Sequence, residues 1–179
     1  MIALVAPSIA ALAIGWVALL TAAPHLPIPL AGFLYVFGSV ICHQISERSF
    51  HMDGAQLPVC ARCLGIYAGF AAGALAAVIG GSKKQDSPYV RIRDVRRPGP
   101  AKRTRRNVLL AALPTLVTVA LEWTGLWYPS NMTRAIAGLP LGIAVALVVI
   151  RAVETRPALH YETCLPPRPA GSGRPAPPI

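Results

Sequence analysis

Residues 42–63, "CHQISERSFHMDGAQLPVCARC", hold three of the four cysteines in a chain of 179 residues. Cys42, His43, Cys60 and Cys63 supply the sulfur and nitrogen donors of a tetrahedral zinc site. The CxxC pair is a strong half-site, because two sulfurs three residues apart at a helix start can share one ion. The Cys42–His43 half is weaker, since adjacent side chains seldom point the same way, so one of the two ligates. Three protein ligands would leave an open position, as in catalytic zinc, yet several thiolates neutralise the ion and weaken it as a Lewis acid. The pattern therefore reads as a structural centre more than a catalytic one. His51 is an alternative to His43, His25 between two prolines reads as a loop residue, and Cys164 has no visible partner.

Two other chemistries use the same cysteines. Cys63 falls in the first turn of a helix, where the helix dipole and Arg62 lower a thiol pKa. A CxxC so activated performs thiol–disulfide exchange, with Cys42 as a third, resolving thiol. In an oxidising compartment a Cys60–Cys63 or Cys42–Cys60 disulfide could instead only staple the loop of a non-catalytic scaffold.

Polar residues surround the cysteines. Glu47, Arg48 and Ser49 follow the CHQ triplet; Ser130, Asn131 and Arg134 open a later apolar run, and Glu122 ends the run before it. Ionisable residues at membrane-helix ends default to a functional reading. The competing readings are snorkelling for Arg134, interfacial exposure for Glu122 and a solvated pair for Glu47–Arg48. In an enzyme, Arg48 and Arg134 would clamp an anion while Glu47 or Glu122 served as base. The sequence has no HExxH, GxSxG or phosphate-cradling loop to name a reaction.

The elements that must position these residues are membrane helices. The chain is 54% hydrophobic, with mean hydropathy +0.53 and 13% charged residues, about half the charge of soluble domains at about 25%. No Lys, Arg, Asp or Glu precedes Glu47. Apolar runs at residues 2–23, 64–82, 107–127 and 133–150 approach or meet the length of about 20 residues that a bilayer core requires. The first run lacks a basic start, so it reads as a span and not as a signal peptide. A shorter uncharged run from Leu30 is a tilted span, a re-entrant segment or an interfacial helix.

The net charge of +10 is local: ten of seventeen basic residues lie between Lys83 and Arg106, beside only two acids. Without interleaved aromatics or a recognition helix, this cluster does not indicate nucleic acid. It marks a cytoplasmic loop that would contact anionic lipid. The loop at residues 42–63 and "WTGLWYPSNMT" then face outward, whether or not the run at Leu30 crosses. The basic, Pro-rich C-terminus falls on the cytoplasmic side. Gly65, Gly69 and Gly73 on one run, and Gly138 and Gly142 on another, are spaced for close helix packing. That packing would bring Cys63 and Arg134 to one end.

These residues resemble the membrane proteins grouped as domain of unknown function 2085. The resemblance runs through Cys42, His43, Gln44, Arg48, Ser49, Phe50, Pro58, Cys60, Arg62, Cys63, Gly65, Tyr67 and Gly69, with a second block at Ser130, Asn131, Arg134, Gly138 and Gly142. Glu122 stands where the family's pattern carries an acid, usually Asp. The resemblance covers about residues 30–150 and implies that both blocks build one site, but it brings no activity with it. The expectation is an all-α integral membrane protein with four transmembrane helices plus one short span or re-entrant segment. Residues 1–152 form the membrane domain and residues 153–179 a disordered Pro-rich tail. The favoured function is metal binding, with zinc as cofactor.

Overall fold

The computed structural model describes residues 5–82 and 100–163. Helix α1 (Val5–Ala22) runs into a 3-10 turn at Ala23–His25, and α2 (Ile28–Ile41) follows Pro27. A second 3-10 turn (Ser46–Arg48) leads into β1 (Ser49–Met52) and β2 (Ala55–Cys60). Three longer helices follow among the described residues: α3 (Ala61–Ser82), α4 (Pro100–Trp123) and α5 (Asn131–Thr163). Among the described residues four helices are long and apolar enough to cross a membrane: Val5–His25, Ala61–Gly80, Thr104–Trp123 and Asn131–Val153.

The distribution of polarity suits a lipid solvent. On α4 the side chains of Leu109, Leu110, Leu113, Leu116 and Val117 point outward, whereas Thr115, Thr118 and Glu122 are buried. A hydrocarbon surround removes the usual reason to hide leucine and makes an unpartnered polar group costly. Thr115 meets that demand by donating from Oγ1 to the Ala137 carbonyl of α5 at 2.7 Å.

The most extensive helix pair is α3 with α5. The two run parallel with backbones in near contact. A Cβ on Gly65 or Gly69 would overlap the carbonyl of Ala135 or Leu139, and one on Gly73 would lie 2.9 Å from Ile143. From the other side, Gly138 and Gly142 lie against the backbone of Arg62 and Ile66. Packing without side chains at the seam is the main attractive contact available between helices in lipid.

Helix α1 runs antiparallel to α3. Leu20 packs with Cys42 and Val59 at one end, and Ala10 with Ala74, Ala146 and Ile150 toward the other. Since α1 finishes and α3 starts at the same end, the segment between them returns to its side of departure. Helix α2 therefore does not cross; its 14 residues would span about 21 Å, against a hydrocarbon core of about 30 Å. Its Ile28, Phe33, Val36 and Val40 face outward.

The hairpin between α2 and α3 is an element that reading the sequence missed. Asp53 and Gly54 both have positive φ, 50° and 80°, the requirement of a two-residue type I′ turn. The dipeptide Asp-Gly between SFHM and AQLPVC is the signal that could have found it. Two further differences concern boundaries. Helix α4 starts at Pro100, not at the apolar run beginning at Asn107, and α5 continues to Thr163, past residue 152. Hydropathy marks where a helix leaves lipid, whereas hydrogen bonding continues through helix-forming Arg, Lys and Glu. Residues 83–99 of the basic loop, residues 164–179 of the tail and Cys164 lie outside the described residues.

Candidate metal centre and its arginine cluster

Three elements each deliver one cysteine. Cys42 ends α2, where its backbone turns extended (φ −143°, ψ 138°) and its N–H still donates to the Gly38 carbonyl at 2.9 Å. Cys60 ends β2, opposite Ser49 on β1, and Cys63 lies in the first turn of α3. All three are free thiols, and their sulfurs lie within 4.8 Å of one another. The Cys60 N–H donates to Cys42 Sγ at 3.1 Å. Leu20, Val59, Trp16, Leu64 and Tyr67 wrap the group in apolar surface. The Cys63 thiol, donating a hydrogen bond, pulls the Cys60 pKa down to about 5 against the opposing effect of burial. Cys42 and the backbone at Arg62 add to that stabilisation.

The histidines lie apart from this trio. His43 is exposed, because successive side chains of an extended segment point to opposite faces, and Cys42 takes the inward one. His51 is also exposed, with Nε2 3.2 Å from Ser46 Oγ. His25 sits 3.4 Å from Asp53 at the surface.

The loop before the hairpin is fixed by amides. Gln44 adopts a left-handed conformation (φ 49°), and its Nε2 donates to the carbonyls of Tyr35 at 2.8 Å and Pro58 at 2.7 Å. Gln56, which reading the sequence did not single out, donates to the Gln44 carbonyl at 2.6 Å and to Ser49 Oγ at 3.3 Å. The Tyr35 hydroxyl donates to the Gln56 carbonyl. These bonds hold the α2 end against β2 and so set Cys42 beside Cys60.

A second cluster centres on Glu122, whose side chain is 2% exposed at the end of α4. Oε1 lies 2.9 Å from Arg48 Nε and 2.9 Å from Arg134 Nη2; Oε2 lies 3.2 Å from Arg62 Nη2. Asn131 links this cluster to the hairpin, donating from Nδ2 to the Ser49 carbonyl at 2.9 Å and accepting from Arg134 Nη1 at 2.8 Å. Arg134 Nη1 also lies 3.4 Å from the Glu47 carbonyl, while the Glu47 side chain is exposed. Ser130 caps α5, its Oγ accepting the Thr133 N–H at 3.2 Å, which satisfies one of the orphan donors at a helix start.

The two clusters are neighbours along the chain. Arg62 stands inside the CxxC whose cysteines point to the sulfur trio, and its guanidinium reaches Glu122. The structure thus gathers Cys42, Cys60 and Cys63 into one group and Arg48, Arg62, Glu122, Asn131 and Arg134 into another. His43 and the Glu47 carboxylate belong to neither.

The family described as "Predicted membrane protein (DUF2085)" matches residues 42–148. An uncharacterised protein of Methanocaldococcus jannaschii is 30% identical over 118 residues, covering 65% of this chain and 66% of the relative. The chain therefore spans just under two thirds of that relative's length. An uncharacterised protein of Methanothermobacter thermautotrophicus is 33% identical over 111 residues, covering 60% of this chain and 83% of the relative. No solved structure matches. The family match begins at Cys42 and takes in both clusters and the three helices that carry them, so the chain belongs to the DUF2085 family of membrane proteins.

Proposed function

We propose that this is a membrane protein whose three cysteines bind one zinc ion at the extracytoplasmic end of the helix bundle. The observation that carries this reading is the convergence of three free sulfurs, from three separate elements, within 4.8 Å. A tetrahedral zinc with Zn–S of about 2.3 Å needs sulfurs about 3.8 Å apart, a contraction that side-chain rotation supplies. A disulfide needs two cysteines, and the amide and backbone network here positions a third. The Cys60 N–H on Cys42 Sγ suits a metal-bound thiolate, which gains stability from such donors. The fourth coordination position is left to water or an exogenous ligand. The outward side follows from the bases between Lys83 and Arg106, which follow α3 in the chain and run into the first turns of α4.

Thiol–disulfide exchange through Cys60 and Cys63 is the second reading, and the depressed Cys60 pKa favours it. One measurement separates the two. Protein purified in detergent without chelator, and with no metal-affinity tag, is expected to carry about one zinc per chain with its site thiols protected from alkylation. Cys63→Ser should lose that zinc. A metal-free protein with a reducible disulfide would overturn the zinc reading and leave exchange.

A further inference from the structure

The cluster around Glu122 is unbalanced. Three guanidiniums, which stay charged at any physiological pH, meet one carboxylate; among the described residues neither Glu47 nor Asp53 pairs with them. Three positive charges against one negative leave two in excess. The Arg134 side chain is 7% exposed and that of Arg62 is 17% exposed, so water screens this excess poorly. The donor count points the same way. The buried Nε of Arg62 and the buried Nε of Arg134 have no acceptor among the described residues. A buried N–H left without a partner costs about 1–3 kcal/mol, more when charged. Arg48 pairs with Glu122 through Nε, 2.9 Å from Oε1. Its side chain, 37% exposed, forms the accessible edge of the cluster.

We propose that Arg48, Arg62 and Arg134 form a binding site for a phosphate-type oxyanion, with Glu122 holding the three guanidiniums in place. The planar forks of arginine match tetrahedral oxyanions, and a phosphate carrying between one and two negative charges offsets the excess. Glu122 orients the cluster, since one carboxylate contacts all three guanidiniums from inside. The cluster sits at the ends of three candidate spans, Ala61–Gly80, Thr104–Trp123 and Asn131–Val153, where lipid headgroups border an apolar core. The phosphate can therefore come from a phospholipid headgroup or from free phosphate. The site stands apart from the metal reading, because no cysteine contributes to it.

The test uses full-length protein in a neutral detergent, with two probes. Radiolabelled inorganic phosphate is titrated at constant ionic strength against chloride. Separately, protein taken from phosphatidylglycerol-containing vesicles is examined by native mass spectrometry for retained phospholipid. Saturable phosphate binding that Arg48→Gln weakens at least about tenfold assigns a free-phosphate site. One retained phospholipid per chain, depleted in Arg48→Gln, assigns a headgroup site. Arg48→Lys should recover part of the binding, whereas His25→Gln, at the surface and outside the cluster, should leave it unchanged. If neither probe binds, or if both bind equally to wild type, Arg48→Gln and the His25→Gln control, the proposal fails.

Discussion

A single carboxylate carries much of the order at the site end of the molecule. Glu122 pairs with three arginines that come from three places in the chain, the turn before β1, the start of α3 and the start of α5. Removing one partner of a buried charge network costs more than the network contributes net, because the remaining charges stay buried without compensation. Glu122→Gln is therefore expected to lower stability by about 3 kcal/mol, read as a fall in the thermal midpoint of detergent-solubilised protein. Glu122→Asp keeps the charge and should fall much less. Equal midpoints for wild type and Glu122→Gln would mean that the arginines are satisfied without it. The sequence offered Arg48 and Arg134 as an anion clamp and Glu122 as a candidate base, each beside an ordinary surface explanation, but it did not show that they meet. Their pairing joins Glu122 to Arg134 at a separation of 12 residues, to Arg62 at 60 and to Arg48 further back still, and no local spacing encodes that.

At the scale of elements, two devices place the chemistry. The first is the glycine seam between α3 and α5. Gly69→Ala puts a methyl group into the Leu139 carbonyl and should cost about 1–3 kcal/mol by forcing the helices apart. Gly15→Ala on α1 meets nothing within 4 Å and should be neutral or slightly stabilising, by up to about 1 kcal/mol of helix propensity. Thermal midpoints of the two variants, measured side by side, test this; comparable behaviour would remove the seam from the account. The second device is the hairpin, which returns the chain from Ser49 to Cys60 and presents Cys60 to Cys42. Fourfold glycine spacing is visible in the sequence because it is periodic on one helix. The hairpin's two short strands have no such period, and the left-handed Gln44 that sets their approach has no sequence signature at all.

The whole molecule is asymmetric between its ends. Helices α1 and α4 finish, and α3 and α5 begin, beside the two clusters, whereas the segment between α3 and α4 connects the opposite ends. The proposed orientation follows from applying the basic-loop rule to this arrangement. In intact cells, a cysteine introduced at exposed Asp53 should react with an impermeant maleimide. One introduced at exposed Arg105 should react only after permeabilisation. The reverse pattern would invert the topology and put the cysteine trio in the reducing compartment, where a stable disulfide is disfavoured.

Composition and hydrophobic run length, by themselves, determined that this chain is a helical membrane protein with four long spans. That much is decided by transfer from water to lipid, which depends on each residue's own surface and on how many apolar residues are consecutive. The CxxC motif and the paired motif blocks marked where chemistry was available. Only the tertiary structure decided which candidates meet. It set Cys42 inward and His43 outward through one extended backbone step, returned α2 to the side it came from, and closed three arginines on one buried glutamate. Those outcomes depend on the directions of side chains brought together by packing between distant segments, and direction in three dimensions is a property that residue type and spacing do not carry.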